Sequence, residues 1–186
     1  GLKVHAELTE KPDHIVIQGQ VTDTTGTDRA VTLLFALPLD ATGWRWGDDI
    51  RRNRVIVGQA ASLSAVNKAT GVSETGKAAR STVGSEYANS VVVRCGATST
   101  MSLYPLSAVY DDRAGIALAL DMAQPAQYRL AYHAGTKQLF IAYDFGLVKE
   151  TGSPLPQRGE GISPLSLDWR GAGGEGSADF RFVLYR

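Results

Sequence analysis

The chain has little of what usually announces chemistry. Cys95 is the single cysteine among 186 residues, so no internal disulfide can form. Its setting, Val91-Val92-Val93-Arg94-Cys95, reads as a strand in which the thiol is a small buried hydrophobe and not a nucleophile. Neither sign of charge is in excess, since Lys plus Arg and Asp plus Glu both number 19. Without a net field to gather polyanions or anionic lipid, neither nucleic acid nor a membrane is an expected partner. No apolar run approaches the roughly 20 residues that cross a bilayer, and Gly1-Leu2-Lys3-Val4-His5 lacks the basic-then-apolar order of a secretory signal. The three histidines, His5, His14 and His133, share no ligand spacing, and the acidic residues are too scattered to form a recognisable calcium loop. No metal or cofactor is expected. No segment carries a helical stripe over three turns. The best candidate, residues 48–55, is interrupted by arginines and ends in a β-branched patch, which disfavours a parallel α/β sheet.

What is there is period-two alternation. Leu2, Val4, Ala6 and Leu8 share one face of a first, half-buried strand, with Lys3, His5 and Glu7 on the other. Residues 14–22 set Ile15, Ile17 and Val21 in phase, and residues 29–37 form a longer apolar run ending at Pro38. The polar stretch 23–28 separates these two as a hairpin turn would. Further strands follow at Ile116, Leu118 and Leu120, at Tyr128, Leu130 and Tyr132, at Leu139, Ile141, Tyr143 and Phe145, and finally at Phe180, Phe182 and Leu184. His133-Ala134-Gly135-Thr136-Lys137 has the length of a hairpin connection. Many short strands, each with one apolar face to cover, imply an all-β, two-sheet antiparallel β-sandwich. The length suits a single domain spanning residues 1–186. Residues 59–86 and 149–177, poor in aromatics or rich in proline and glycine, read as long surface connections that can hide short strands at 61–66 and 165–169. Both ends are abrupt, so the domain is expected to belong to a longer chain.

Two nucleotide-site patterns fail on mechanics. Gly71-Val72-Ser73-Glu74-Thr75-Gly76-Lys77-Ala78 matches a phosphate loop until Ala78 replaces the hydroxyl that would hold magnesium. Gly171-Ala172-Gly173-Gly174-Glu175-Gly176 leads into a strand, whereas a dinucleotide site needs a helix N-terminus at the pyrophosphate. The most distinctive cluster is Gly43-Trp44-Arg45-Trp46-Gly47-Asp48-Asp49-Ile50-Arg51-Arg52. Aromatic rings stack on the C–H faces of sugars while arginine and carboxylate groups satisfy hydroxyls, so Trp44, Arg45, Trp46, Asp48, Asp49 and Arg51 are the candidate carbohydrate contacts. The competing reading is structural: the two tryptophans cap one end of the core and the aspartates pair with neighbouring arginines. Adjacent carboxylates, Asp48-Asp49 and Asp111-Asp112, point to opposite faces of a strand and do not make a hydrolytic pair. Asp111-Asp112-Arg113-Ala114-Gly115 reads as a tight turn. No catalytic residue is assigned.

The Trp44 cluster, together with Leu103-Tyr104-Pro105-Leu106-Ser107-Ala108-Val109, Gly115-Ile116-Ala117-Leu118-Ala119-Leu120-Asp121, Gln124-Pro125 and Tyr143-Asp144-Phe145-Gly146-Leu147, resembles the N-terminal β-sandwich of large bacterial proteins of the glycoside hydrolase type. That sandwich is similar to the supersandwich of the galactose-mutarotase-like class and precedes a catalytic barrel. The resemblance implies an extracytoplasmic or cell-surface parent. It implies a non-catalytic accessory role, with the neighbouring catalytic domain of the same chain and carbohydrate as partners. The histidine and glutamate set of true mutarotases has no match at His5, His14 or His133. Two alternatives stay open: a stand-alone carbohydrate enzyme of mutarotase-like or lyase type, whose mark would be a cleft joining His14 or His133 to carboxylates and arginine, and a structural or protein-interaction module marked by exposed apolar surface.

Overall fold

The computed structural model describes residues 1–49, 51–58, 86–94, 96–123, 126–148 and 176–186, with Arg52 described by its backbone. These form strands and no helix: β1 (Leu2–Glu10), β2 (His14–Asp23), β3 (Arg29–Pro38), β4 (Arg45–Asp49), β5 (Arg52–Val55), β6 (Glu86–Tyr87), β7 (Ser90–Val92), β8 (Thr100–Ser102), β9 (Leu106–Tyr110), β10 (Gly115–Leu120), β11 (Gln127–His133), β12 (Gln138–Leu147) and β13 (Ser177–Tyr185). Sheet A has seven strands in the order β1-β2-β13-β10-β9-β4-β5, sheet B has four in the order β3-β12-β11-β6, and β7-β8 is a separate hairpin. Every pairing is antiparallel. The protein is therefore an all-β sandwich. The connection expected from residue 59 ends before Glu86, which opens β6. The rest of that stretch lies outside the described residues, as do Cys95, residues 149–175 and the match to a phosphate loop at 71–78.

Alternation explains which residues meet between the sheets. Ala178, Phe180 and Phe182 of β13 are buried, and their register partners Val21, Gly19 and Ile17 in β2 share that face. Tyr143 and Leu139 of β12 and Phe35 of β3 descend on them from sheet B. The Phe35 ring lies 5.1 Å from Phe180 and 4.9 Å from Phe182, and Tyr143 sits 6.3 Å from each. A fully buried ring of this kind contributes about 1.5–3 kcal/mol through area removed from water. The Tyr143 hydroxyl is not left unpaired, because it donates to the Arg181 carbonyl at 3.0 Å, while burial pushes its pKa upward.

Two expectations are corrected. Residues 23–28 do not close a hairpin between the second and third strands. Both edges of β2 are already taken, by β1 and β13, so the chain after Asp23 crosses to sheet B, where β3 pairs with β12. Asp23 organises the crossing: its carboxylate accepts the Thr25 amide at 3.0 Å and the Thr25 hydroxyl at 2.8 Å, and it lies 3.4 Å from Arg29 Nε. The first strand, in turn, is not half-buried. Leu2, Val4, Ala6 and Leu8 do face the sandwich interior, in register with Asp23, Val21, Gly19 and Ile17, but the four described strands of sheet B do not cover them. Every residue of β1 is exposed. Local alternation fixes which side chains share a face, and only the width of the opposing sheet decides whether that face is covered.

Candidate functional site

After Pro38 the chain turns from sheet B to sheet A through a short loop clamped to the β11–β12 hairpin. The Tyr132 hydroxyl donates to the Leu39 carbonyl and accepts the Ala41 amide, both at 3.1 Å. Asp40 accepts Lys137 Nζ at 2.6 Å and the Thr42 hydroxyl at 2.7 Å. These two bonds, the lysine's first, hold the Asp40 carboxyl well below its ordinary 3.8, down to about 2, and the same contact holds Lys137 above 10.5.

The sign for stability follows. A carboxyl depressed by folding contributes stability above its unfolded value, and that contribution fades as pH falls through the folded one. Both partners are more than half exposed, at 56% and 53%, so solvent screens the effect and keeps it modest. Lys137→Met is expected to lower the thermal midpoint near neutral pH, with the difference from the unaltered chain shrinking between about pH 4 and pH 2. Thermal melts across that range check it.

The clamp delivers the tryptophan cluster, and strand alternation then divides it. Trp46 is fully buried, paired with Val109 of β9 and Arg54 of β5, so neither face of its ring is open to a ligand. Trp44 is partly buried against the same core. Asp48 is 10% exposed and lies 3.5 Å from Arg54, whose guanidinium sits 5.6 Å over the Tyr87 ring and donates to the Ala88 carbonyl at 3.1 Å. A register shift between Gly47 and Asp49 interrupts the β4–β5 ladder, and Asp49 beyond it accepts the Arg51 amide at 2.8 Å. Arg51 itself is exposed. The six candidates thus do not make one contact surface: Trp46 and Asp48 belong to the interior, Asp49 and Arg51 to a turn.

Arg45 points the other way, onto the outer face of sheet A, and meets two residues that sequence reading left out of the candidate set. Its guanidinium donates to Asp112 at 2.9 Å, with both side chains exposed, at 42% and 84%. Beside it in register is Tyr110. A Cβ placed on Gly47 would fall 3.0 Å from Tyr110 Cε1, and one on Gly115 would fall 2.9 Å from Tyr110 Cβ. One edge of the partly exposed phenol ring therefore packs against Gly47, on the strand that carries Arg45 and its ion pair with Asp112. Asp111 does form the expected turn, accepting the Arg113 and Ala114 amides at 2.8 and 2.9 Å, and those bonds hold its pKa low. That turn is what aims Asp112 at Arg45. The signal available in the sequence was Tyr110 immediately preceding the Asp111 turn. Its glycine neighbour, Gly47, is adjacent in the sheet but lies on β4, five strands earlier in the chain.

The histidines do not converge. His5 contacts Glu7 at 3.3 Å, His14 contacts Asp13 at 2.6 Å, and His133 accepts the Thr136 amide at 3.1 Å. His14 borders a cavity of about 120 Å³ with Glu10, Lys11, Tyr185 and Arg186, but Ile15, Ile116 and Leu184 make its lining almost entirely apolar. That volume is well below the roughly 300–1,000 Å³ of a small-molecule pocket. Among the described residues no group of three or more His, Cys, Asp and Glu side chains could hold a metal ion.

Fold and site together define a β-sandwich with a partly exposed tyrosine and an exposed ion pair side by side on the outer face of its larger sheet. Compared with protein-family models, curated proteins and solved structures, the chain matches none.

Proposed function

We propose that this sandwich is a non-catalytic accessory domain of a carbohydrate-active enzyme, packing beside a catalytic barrel and contacting glycan through Tyr110, Arg45 and Asp112. The observation that carries the reading is the Tyr110 ring packed by one edge against Gly47 next to an exposed ion pair. A ring packed along one edge against backbone has less side-chain freedom to lose on binding, and its exposed part can meet the C–H face of a pyranose. An exposed arginine–carboxylate pair contributes about 0–1 kcal/mol to stability, so its donors and acceptors can be shared with sugar hydroxyls at little cost. An extended oligosaccharide suits this patch better than a small enclosed ligand does, because the ion pair is open on the sheet surface.

Calorimetric titration of the chain with mono- and oligosaccharides tests this. Tyr110→Ala and Arg45→Ala are each expected to weaken binding about tenfold, equivalent to about 1.4 kcal/mol, with circular dichroism unchanged. Gly47→Ala, which places a methyl group against the ring, is expected to weaken binding by tilting Tyr110 while Arg45 stays in place. Absence of binding across the panel, or binding indifferent to all three substitutions, would sink the carbohydrate reading.

A further inference from the structure

Sheet A ends in a strand that, among the described residues, no other strand pairs with on its outer edge. β1 is nine residues long and exposed throughout, with Leu2, Val4 and Leu8 at 43%, 53% and 70%. Edge strands that stay monomeric are usually short, bulged or interrupted by proline, or carry inward-pointing charge. β1 has none of these between Leu2 and Leu8: its register with β2 is unbroken, and its charges, Lys3 and Glu7, lie on the outer face. The other end of the same sheet, β5, has only four residues, Arg52–Val55.

The hydrogen-bond phase of the free edge can be read from its neighbours. The Thr24 amide donates to the Gly1 carbonyl at 2.8 Å, and the Asp23 amide donates to Gly176 at 2.8 Å. Residues 1 and 24 are therefore a hydrogen-bonded pair, and the phase repeats every second residue. Lys3, His5, Glu7 and Thr9 use their backbone groups on β2, while Leu2, Val4, Ala6 and Leu8 turn theirs to the open edge.

We infer that this edge is a homodimer interface, in which β1 of one protomer pairs antiparallel with β1 of a second copy about a two-fold axis. The phase requires residues of the even set to face each other. One register satisfies every side chain: Leu2 opposite Leu8 of the second copy, Val4 opposite Ala6, and, on the other face, Lys3 opposite Glu7, with His5 meeting its own copy at the axis. Apolar partners are then matched on the inner face and opposite charges on the outer one, the combination that stabilises cross-strand pairs. Shifting by two residues either way sets Leu2 against Glu10 or leaves Glu7 opposite Gly1, and loses the Lys3–Glu7 match. A two-fold axis makes each of these contacts twice, as isologous assembly demands.

The test uses sedimentation equilibrium and light scattering on the chain. A reversible dimer at micromolar concentration is expected. Ala6→Pro removes an amide that faces only the open edge, so β1 keeps its bonds to β2 and the protein becomes monomeric with its fold unchanged. Lys3→Glu places like charges opposite each other and is expected to weaken the dimer about tenfold. The double exchange Lys3→Glu with Glu7→Lys restores it. A chain that stays monomeric at high micromolar concentration would overturn the inference. So would a dimer that survives Ala6→Pro, or one that the double exchange fails to rescue.

Discussion

Replacing Trp46 by alanine is expected to cost about 3–5 kcal/mol, the range for truncating a large buried aromatic side chain. Against the 5–15 kcal/mol that holds an ordinary domain together, this is enough to leave part of the population unfolded. The thermal midpoint should fall by about 6–20 °C for a chain of this size. The reason lies in placement. Trp46 is fully buried, and it joins β4 to β9 and to β5 near one end of sheet A, within the main core cluster. The indole Nε1 is buried with no hydrogen-bond partner among the described residues, a deficit of about 1–3 kcal/mol. Trp46→Phe removes that deficit along with some volume, so its cost should be much the smaller of the two. Trp44→Ala should also cost less than Trp46→Ala, because its ring is only partly buried. Chemical denaturation of the three variants separates these outcomes. A Trp46→Ala chain as stable as the parent would show that the ring is not a core element.

The second large effect is expected at Gly19, midway along β2. It faces the interior between Ala6 of β1 and Phe180 of β13. A Cβ there would collide with the His5 carbonyl oxygen and would lie 2.7 Å from Phe180 Cζ and 2.9 Å from Ala6 Cα. Two of these three neighbours are backbone. The third belongs to a ring 2% exposed and packed against Phe35 and Tyr143. Glycine is needed here because of close approach, and its backbone freedom has no part in it. Gly19→Val should cost at least the upper end of the about 1–3 kcal/mol typical of overpacking, and the element that yields should be β1. Among the described strands it pairs with β2 alone, whereas Phe180 is packed from both sheets. Amide exchange should accelerate in residues 3–9 before it does in β13. A variant in which β13 loosens first, or nothing loosens, would contradict this picture of how β1 is held. If β1 also carries the dimer contact, the same variant should lose dimerisation.

By itself the sequence determined the composition of faces. Period-two alternation was enough for the all-β class, for the β11–β12 hairpin around His133-Ala134-Gly135-Thr136-Lys137, for the Asp111 turn, and for the row of Phe180, Phe182 and Leu184 on one side of the last strand. These are local properties, set by side chains that alternate across a strand and by turn residues that bond their own backbone. Only the tertiary structure decided which strands pair. The C-terminal β13 inserts between β2 and β10, and by occupying the free edge of β2 it sends β3 to the other sheet, so a segment that looks like a hairpin is a crossing. The width of sheet B decided that Phe180 is core while Leu8, on the same face of the same sheet, stands in water. Alternation also split the tryptophan cluster, placing Trp46 inside and Arg45 outside. Tyr110 could not be found from its own surroundings, because what makes room for its ring is the absence of a side chain at Gly47, on the strand next to it in space and remote from it along the chain. Burial and juxtaposition are sums over neighbours that arrive from distant parts of the sequence, and no local pattern contains them.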